Sequence, residues 1–485
     1  MKALILAVLN HDYHYETENM CRIFFPNEKI NLVYERGNYN ENNVVETEID
    51  GGIISVSCDI NGRHSERKTD ASAVENKELE TGRLLYACLS EITGCVPPWG
   101  VLTGVRPSKL MTKYIREYGE DEAKRRFEEN LLVSTLKTNL AASVSKTESE
   151  ILSLSKPDSF SLYVSVPFCP SRCSYCSFVS HSITTPAARK LVPEYLDKLC
   201  EELEQFGKIA SQLKLKIESI YFGGGTPSVL ESSQLDRLCS QIENSFDLST
   251  LREYTVECGR PDTITLPKLR ALRFHNVGRI SINPQTFSQT VLDSIGRQHT
   301  VEQTLSAYRL ARSAGFECVN MDLIAGLTGD TVENFKESID TAVTLAPENI
   351  TVHSLALKRS SELAQSGADV EDGDRAVRML DYAQNKLSGS GYIPYYMYRQ
   401  SKCVGNLENV GWSLPGRECL YNVFMMEECH TVFAAGAGAV TKLKEPNGDY
   451  IERIFNFKYP YEYISRFDEL TDRKESIIDF YREHI

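Results

Sequence analysis

Long apolar runs are missing from the start of this chain. In the opening "MKALILAVLNHDYHY" only residues 3–9 are apolar, and His11 and Asp12 close the run without a small-residue cleavage site, so neither an export signal nor a membrane anchor is expected there. The opening reads instead as the first β-strand of a cytoplasmic protein. Positive charge is also scarce. Lys and Arg number 53 against 67 Asp and Glu, a formal charge of −14, which excludes wholesale binding to nucleic acid or an anionic membrane, because both draw affinity from basic patches. Any anionic ligand must meet a local basic pocket. Internal repeats and low-complexity tracts are absent too. What remains is ordinary globular usage, 41% apolar and 25% charged over 485 residues, enough for roughly two to four domains' worth of core.

Fourteen cysteines in a chain with no export signal are expected to be reduced thiols. Cys21, Cys58, Cys88, Cys95, Cys200, Cys239 and Cys318 lie singly in apolar contexts and read as small buried hydrophobes. Cys403, Cys419 and Cys429 are spaced too loosely to match a ligand pattern. The stretch "FCPSRCSYCSF" differs, placing Cys169, Cys173 and Cys176 on a C-x3-C-x2-C spacing. Structural zinc needs a fourth ligand, a disulfide an even number, a redox pair only two. Three thiolates on one short loop suit three irons of a four-iron cubane and leave the fourth iron open to a substrate. Phe168, Tyr175 and Phe178 would keep water from such a cluster.

Residues 1 to about 65 read as short strands, and residues 75–150 turn helical, giving an N-terminal α+β module over 1–150. From residue 151 to 365 strand and helix alternate. "LYVSVPF", "IESIYF", "REYTVE", "VGRISI", "CVNMDLIAG" and "ITVHSLAL" are six short apolar runs separated by helical segments, the pattern of a parallel sheet closed into a partial (β/α)6 barrel. Chemistry in such barrels sits at the carboxyl ends of the strands. The cysteines follow the first strand, and "GGGTPS" follows the second. Residues 366–485 form a C-terminal α+β extension expected to contribute to the substrate site; within it "AAGAGAV" marks a place where backbone must approach something closely.

The motifs "YVSVPFCPSRCSYCSF", "FGGGTPS", "RISINPQTF", "IGRQHT" and "NMDLIAGLTGDT", in this order and spacing, resemble the radical S-adenosylmethionine (SAM) enzymes, and within them the oxygen-independent coproporphyrinogen III oxidase family. The blocks "PWGVLTGVRPSKLM" and "YYMYRQSKCVGNLENVGW" are similar to its Z-type coproporphyrinogen dehydrogenase branch. The resemblance implies that Cys169, Cys173 and Cys176 hold a 4Fe–4S cluster whose open iron takes SAM. It implies SAM contacts for Tyr163, Tyr175, Gly224, Gly225, Thr226, Glu257, Gln285, Arg297, Asp322, Ala356 and Val440. The implied reaction converts propionates of coproporphyrinogen III to vinyl groups, giving protoporphyrinogen IX, with a tetrapyrrole substrate and a low-potential electron donor as partners. A haem-carrying chaperone on the same scaffold is the alternative.

Substrate carboxylates would meet Lys358, Arg359 and Arg399, with Lys402, Arg106 and Lys109 as further candidates. Three departures from the family pattern stand out. Phe178 occupies the position of a fourth cysteine, Thr328 replaces the proline of a "GLP" turn, and "YNVFMM" puts Tyr421 and Asn422 where the chaperone branch carries His-Asn-x-x-Tyr-Trp.

Overall fold

The computed structural model describes residues 3–484 other than 38, 40–42, 177, 179, 357–372 and 401–402. The chain divides into two compact units: residues through Ser145 with the stretches ending at Asp381 and Glu408, and the remainder.

In the first unit the sheet runs β2 (Ile30–Val33), β1 (Leu4–Leu9), β3 (Asn43–Asp50), β4 (Ile53–Ile60) and β5 (Arg63–Asp70). All six residues of β1 are buried, as a strand needs when it lies between parallel neighbours and under a helix. The covering helix Lys77–Thr93 starts where Asn76 Oδ1 accepts from Leu79 N at 3.0 Å and stops at Gly94, φ +73°. Its Leu85, Cys88, Leu89 and Ile92 pack with Leu6, Val56 and Cys58. Two elements depart from the sequence reading: a helix over His14–Phe24, and β5.

The second unit is built on β6 (Ser159–Val166), followed by the short pair β7 (Phe168–Cys169) and β8 (His181–Ser182). Then come β9 (Lys216–Gly224), β10 (Glu253–Glu257), β11 (Arg279–Ser281), β12 (Cys318–Ala325) and β13 (Asn349–Ser354). Strands β6, β9, β10, β11, β12 and β13 lie side by side in that order, every neighbour parallel. These are the six expected strands, and the helices between them are the crossovers that parallel pairing requires. Leu162, Val164, Ile220, Phe222, Val256 and Ile280 meet Leu196, Leu199, Leu203, Leu238, Ile242 and Leu269 in one continuous core.

The sheet then extends at both ends. Glu408–Ser413 pairs antiparallel with β13, and Thr431–Ala435 pairs parallel with β6 and carries the antiparallel strands Val440–Lys444 and Ile451–Phe455. The close approach foreseen at "AAGAGAV" is that of Gly436, φ +97°, where a Cβ would stand 2.5 Å from Tyr195 Oη and 2.6 Å from Ser165 O. Buried Glu202 secures the turn. Its Oε2 accepts from Gly436 N at 2.7 Å and Tyr463 Oη at 2.6 Å, while its Oε1 pairs with buried Lys474 at 2.6 Å. Among the described residues no helix is long and apolar enough to cross a membrane.

Candidate active site at the strand ends

The register of β6 on β9 ends at Val166 opposite Gly224, and the ladder continues past it. Gly225 N donates to Val166 O and Thr226 N to Phe168 O, both at 2.8 Å. This zippering sets the Thr226 hydroxyl 3.4 Å from Cys169 Sγ. The glycines serve that approach. A Cβ on Gly225 would lie 2.5 Å from Phe168 O and 2.8 Å from Phe168 N, and Gly224 sits at φ +101°. Gly225 is therefore packed on the backbone just before the first cysteine, rather than on open space.

The cysteine loop is closed at its base by β7 and β8, which pair Phe168 with His181 and Cys169 with Ser182. Inside it Cys176 N donates to Cys173 O at 3.1 Å, and Ser174 N reaches Ile295 O at 3.2 Å. All fourteen thiols are free. Burial raises the pKa of Cys169 and pushes that of Cys176 up to about 11, while the Thr226 hydroxyl beside Cys169 and the Arg297 charge near Cys176 favour the thiolates that a metal cluster needs. No three His, Cys, Asp or Glu side chains among the described residues converge as the ligands of one ion do. A cubane instead takes one thiolate on each of three irons, and the donor set fits it. Cys419 and Cys429 are held elsewhere, by Glu253 Oε1 at 3.2 Å and Ser155 Oγ at 3.9 Å.

Two buried arginines grip this loop, Arg260 from just past β10 and Arg297 from just past the helix over Gln289–Ser294. Arg260 Nη1 donates to Ser171 Oγ at 2.9 Å, and its Nε to Asp262 Oδ1 at 3.1 Å. Arg297 reaches the Tyr175 hydroxyl at 3.4 Å and Gly259 O at 3.2 Å. Near both of them His299 is fully buried, with neither ring nitrogen hydrogen-bonded among the described residues, and burial together with the two guanidinium charges pushes its pKa down to about 3.

Across the mouth, Glu257 ends β10 and accepts from the Tyr221 hydroxyl at 2.7 Å. Burial pushes its pKa up to about 7, with a smaller contribution from the Asp322 charge. Asp322 behaves oppositely. Burial works to raise it, but His353 Nε2 at 3.9 Å and the Asn320 amide at 2.7 Å hold it below the usual range. His353 in turn meets Asn409 Oδ1 at 3.2 Å. Gln285 adopts φ +67° so that its N–H can bond Asp322 O at 2.9 Å. Its Oε1 and the Oδ1 of Asn283 are buried without a hydrogen-bond partner among the described residues. Unsatisfied acceptors beside a carboxylate pair fit a ligand bearing an amino group and a sulfonium charge, as SAM does.

Tyr163, on β6, lies in a stack of three phenol rings. Tyr221 and Tyr421 are 4.5 Å apart at 21°, and Tyr163 stands 6.1 Å from Tyr421. Ala356 and Val440 lie at the two flanks of the six parallel strands, just past β13 and at the start of Val440–Lys444. Lys358, Arg359 and Lys402 lie outside the described residues. Arg399 is buried: its Nη1 donates to Leu102 O at 2.7 Å and Gly104 O at 3.2 Å, its Nε to Asn406 O at 3.1 Å. These bonds tie it to the backbone carbonyls of Leu102, Gly104 and Asn406, and its Nη2 is buried without a hydrogen-bond partner among the described residues. Arg260, Tyr221 and His353 are the site residues that the sequence reading missed. Arg260 stands three positions after Glu257, just beyond a strand end, and His353 breaks an apolar strand.

The Radical SAM superfamily profile matches residues 163–342. The oxygen-independent coproporphyrinogen-III oxidase-like protein HemZ of Bacillus subtilis (strain 168) is 39% identical over 388 residues, 79% of this chain and 77% of that protein. The heme chaperone HemW of Lactococcus lactis subsp. lactis (strain IL1403) is 31% identical over 290 residues, 59% of this chain and 70% of that one. Among solved structures, coproporphyrinogen III oxidase (HemN) from Escherichia coli matches with a TM-score of 0.52 at 23% identity, covering 67% of this chain and 73% of its own, a likeness of fold. The chain belongs to the oxygen-independent coproporphyrinogen III oxidase family of the radical SAM superfamily, whose members work with a 4Fe–4S cluster and SAM.

Proposed function

We propose that this protein oxidatively decarboxylates two propionates of coproporphyrinogen III, giving protoporphyrinogen IX. Each propionate loses a hydrogen atom, CO2 and one electron as its vinyl group forms, and the electron passes to an acceptor. When bound, the cluster and SAM supply the hydrogen-abstracting chemistry. Cys169, Cys173 and Cys176 hold the cluster, with Thr226 on the first sulfur and Arg260 and Arg297 fixing the loop. Glu257, Asp322 and the acceptors of Gln285 and Asn283 orient SAM from the facing strand ends. Lys358 and Arg359 are the proposed partners of the substrate carboxylates.

The observation that carries this reading over the carrier reading is Tyr421. It stands where the chaperone block has its histidine, and here it is a buried phenol stacked on Tyr221, its backbone N–H donating to Glu253 at 3.2 Å. A ring so enclosed gives haem iron no imidazole. The similarity to HemW keeps the carrier as the rival. The test is anaerobic incubation of the reconstituted protein with coproporphyrinogen III, SAM and a low-potential reductant. Release of CO2 and 5′-deoxyadenosine with formation of protoporphyrinogen IX is expected; stoichiometric haem binding without turnover supports the carrier.

A further inference from the structure

His353 interrupts the buried run of β13 near its carboxyl end, opposite Ile324 of β12. Its side chain is 26% exposed, and its two ring nitrogens face different groups. Nδ1 lies 3.2 Å from Asn409 Oδ1, and the same oxygen accepts from Ser354 N at 3.1 Å. A backbone N–H can only donate, so the amide presents its oxygen here, and Nδ1 must carry a hydrogen to meet it. The other nitrogen, Nε2, faces Asp322 Oδ2 at 3.9 Å.

That geometry decides the charge. With one hydrogen fixed on Nδ1, a neutral ring would turn a bare lone pair toward a carboxylate oxygen, so a second proton is required between Nε2 and Asp322. Asp322 Oδ1 already accepts from the Asn320 amide at 2.7 Å, whose own oxygen accepts from Thr351 Oγ1 at 3.1 Å. A donor on the carboxylate favours its ionised form, which places the second proton on the ring. Glu257, the other charged group that bears on His353, supplies the contrast. It has the Tyr221 hydroxyl but no ion pair among the described residues, and burial pushes its pKa up to about 7. Of two buried carboxylates, the one beside the imidazole stays ionised and the other titrates.

We propose that His353 is a positioning residue for SAM: its imidazolium keeps Asp322 ionised and Oδ2 in place, so that the carboxylate offers SAM a charged acceptor at neutral pH. The inference rests on the placement of Asp322 at the SAM site and not on the tetrapyrrole reaction. Without the imidazolium, Asp322 is a buried carboxylate with no adjoining cation. It then takes up a proton near neutrality, as Glu257 does, and a carboxylic acid accepts a hydrogen bond more weakly than a carboxylate. The proton gained by Asp322 offsets the charge lost with the ring, so the net charge of the site changes little and the loss falls on the acceptor.

Equilibrium dialysis of labelled SAM against the reconstituted protein, anaerobic and without reductant so that no SAM is cleaved, gives Kd as a function of pH. His353→Gln should weaken SAM about tenfold at about pH 6.5. The ratio to wild type should approach one by about pH 9, where Asp322 ionises without help and the wild-type ring has lost its own proton. Glu257 and Tyr221 are common to both proteins, so their titration cancels in the ratio. His353→Lys restores a cation and should recover most of the loss. Asp322→Asn should weaken SAM, and His353→Gln should add nothing in that background. A ratio constant at every pH, or additive losses in the double variant, overturns the proposal and makes His353 a packing residue. Unchanged SAM binding in Asp322→Asn overturns the placement of Asp322 and the proposal with it. Failure of the decarboxylase reading alone leaves these binding results unaffected.

Discussion

Gly225→Ala adds one methyl group at the tightest point of the site. Its Cβ would lie 2.5, 2.8 and 2.9 Å from the O, N and C of Phe168, all backbone atoms that have no rotamer to yield. The strand end after Val166 must move, taking with it the Thr226 N to Phe168 O bond at 2.8 Å and the Thr226 contact to Cys169 Sγ. Overpacking of this kind costs about 1–3 kcal/mol, and each hydrogen bond lost adds about 1 kcal/mol. A destabilisation of about 2–4 kcal/mol, concentrated beside the first ligand, is expected. The control is Gly223→Ala, whose Cβ would meet ring atoms of Tyr163 and Tyr221 at 3.1 Å; side chains can shift, and about 1 kcal/mol is expected. Both variants are unfolded by heat without cluster and assayed for iron after anaerobic reconstitution. Gly225→Ala should lose most of its iron and Gly223→Ala should keep it. A Gly225→Ala protein with a full complement of iron and wild-type stability would refute the reasoning.

The buried Lys474–Glu202 pair tests the support beneath the mouth: Lys474→Met strands a buried carboxylate and should cost about 3–5 kcal/mol in chemical denaturation. Glu257 has a pH signature. Its folded pKa of about 7 lies above the ordinary 4.5, so the native state binds its proton more tightly, and stability present at low pH is lost as pH rises through that window. In the cluster-free chain Glu257→Gln should remove that loss, which is on the order of 3 kcal/mol; an unchanged pH profile of thermal unfolding counts against it. Arg260→Lys keeps the charge and loses the fork to Ser171 and Asp262. It should hold iron less well than wild type and better than Arg260→Gln, measured as the rate of iron release to a chelator.

Much of the second unit's fold was legible because its strands are buried on both faces. Parallel strands under helices read as unbroken apolar runs, and all six appear in the expected order. β5 was not legible for the opposite reason. Its sequence "RHSERKTD" buries only Ser65, and it is a strand because it pairs along its length with β4 at the sheet edge. The helix over His14–Phe24 buries only Thr17, Met20 and Cys21, too narrow a stripe to register against the surrounding strand signals.

The site divides along a similar line. Residues that act through covalent spacing, the three cysteines and the glycines of "GGGTPS", are close in sequence, and their pattern carries the chemistry. Residues that act by meeting across strands leave no local trace. Arg260 finds Ser171 from 89 positions away, and Tyr421 finds Tyr221 only because the helix over Leu420–Glu427 is pinned by Glu253. Arg399 shows the same limit: its sequence context does not reveal the Leu102 and Gly104 carbonyls that its guanidinium meets, nor the burial that pushes its pKa down to about 10. Its remaining nitrogen, Nη2, is buried without a hydrogen-bond partner among the described residues.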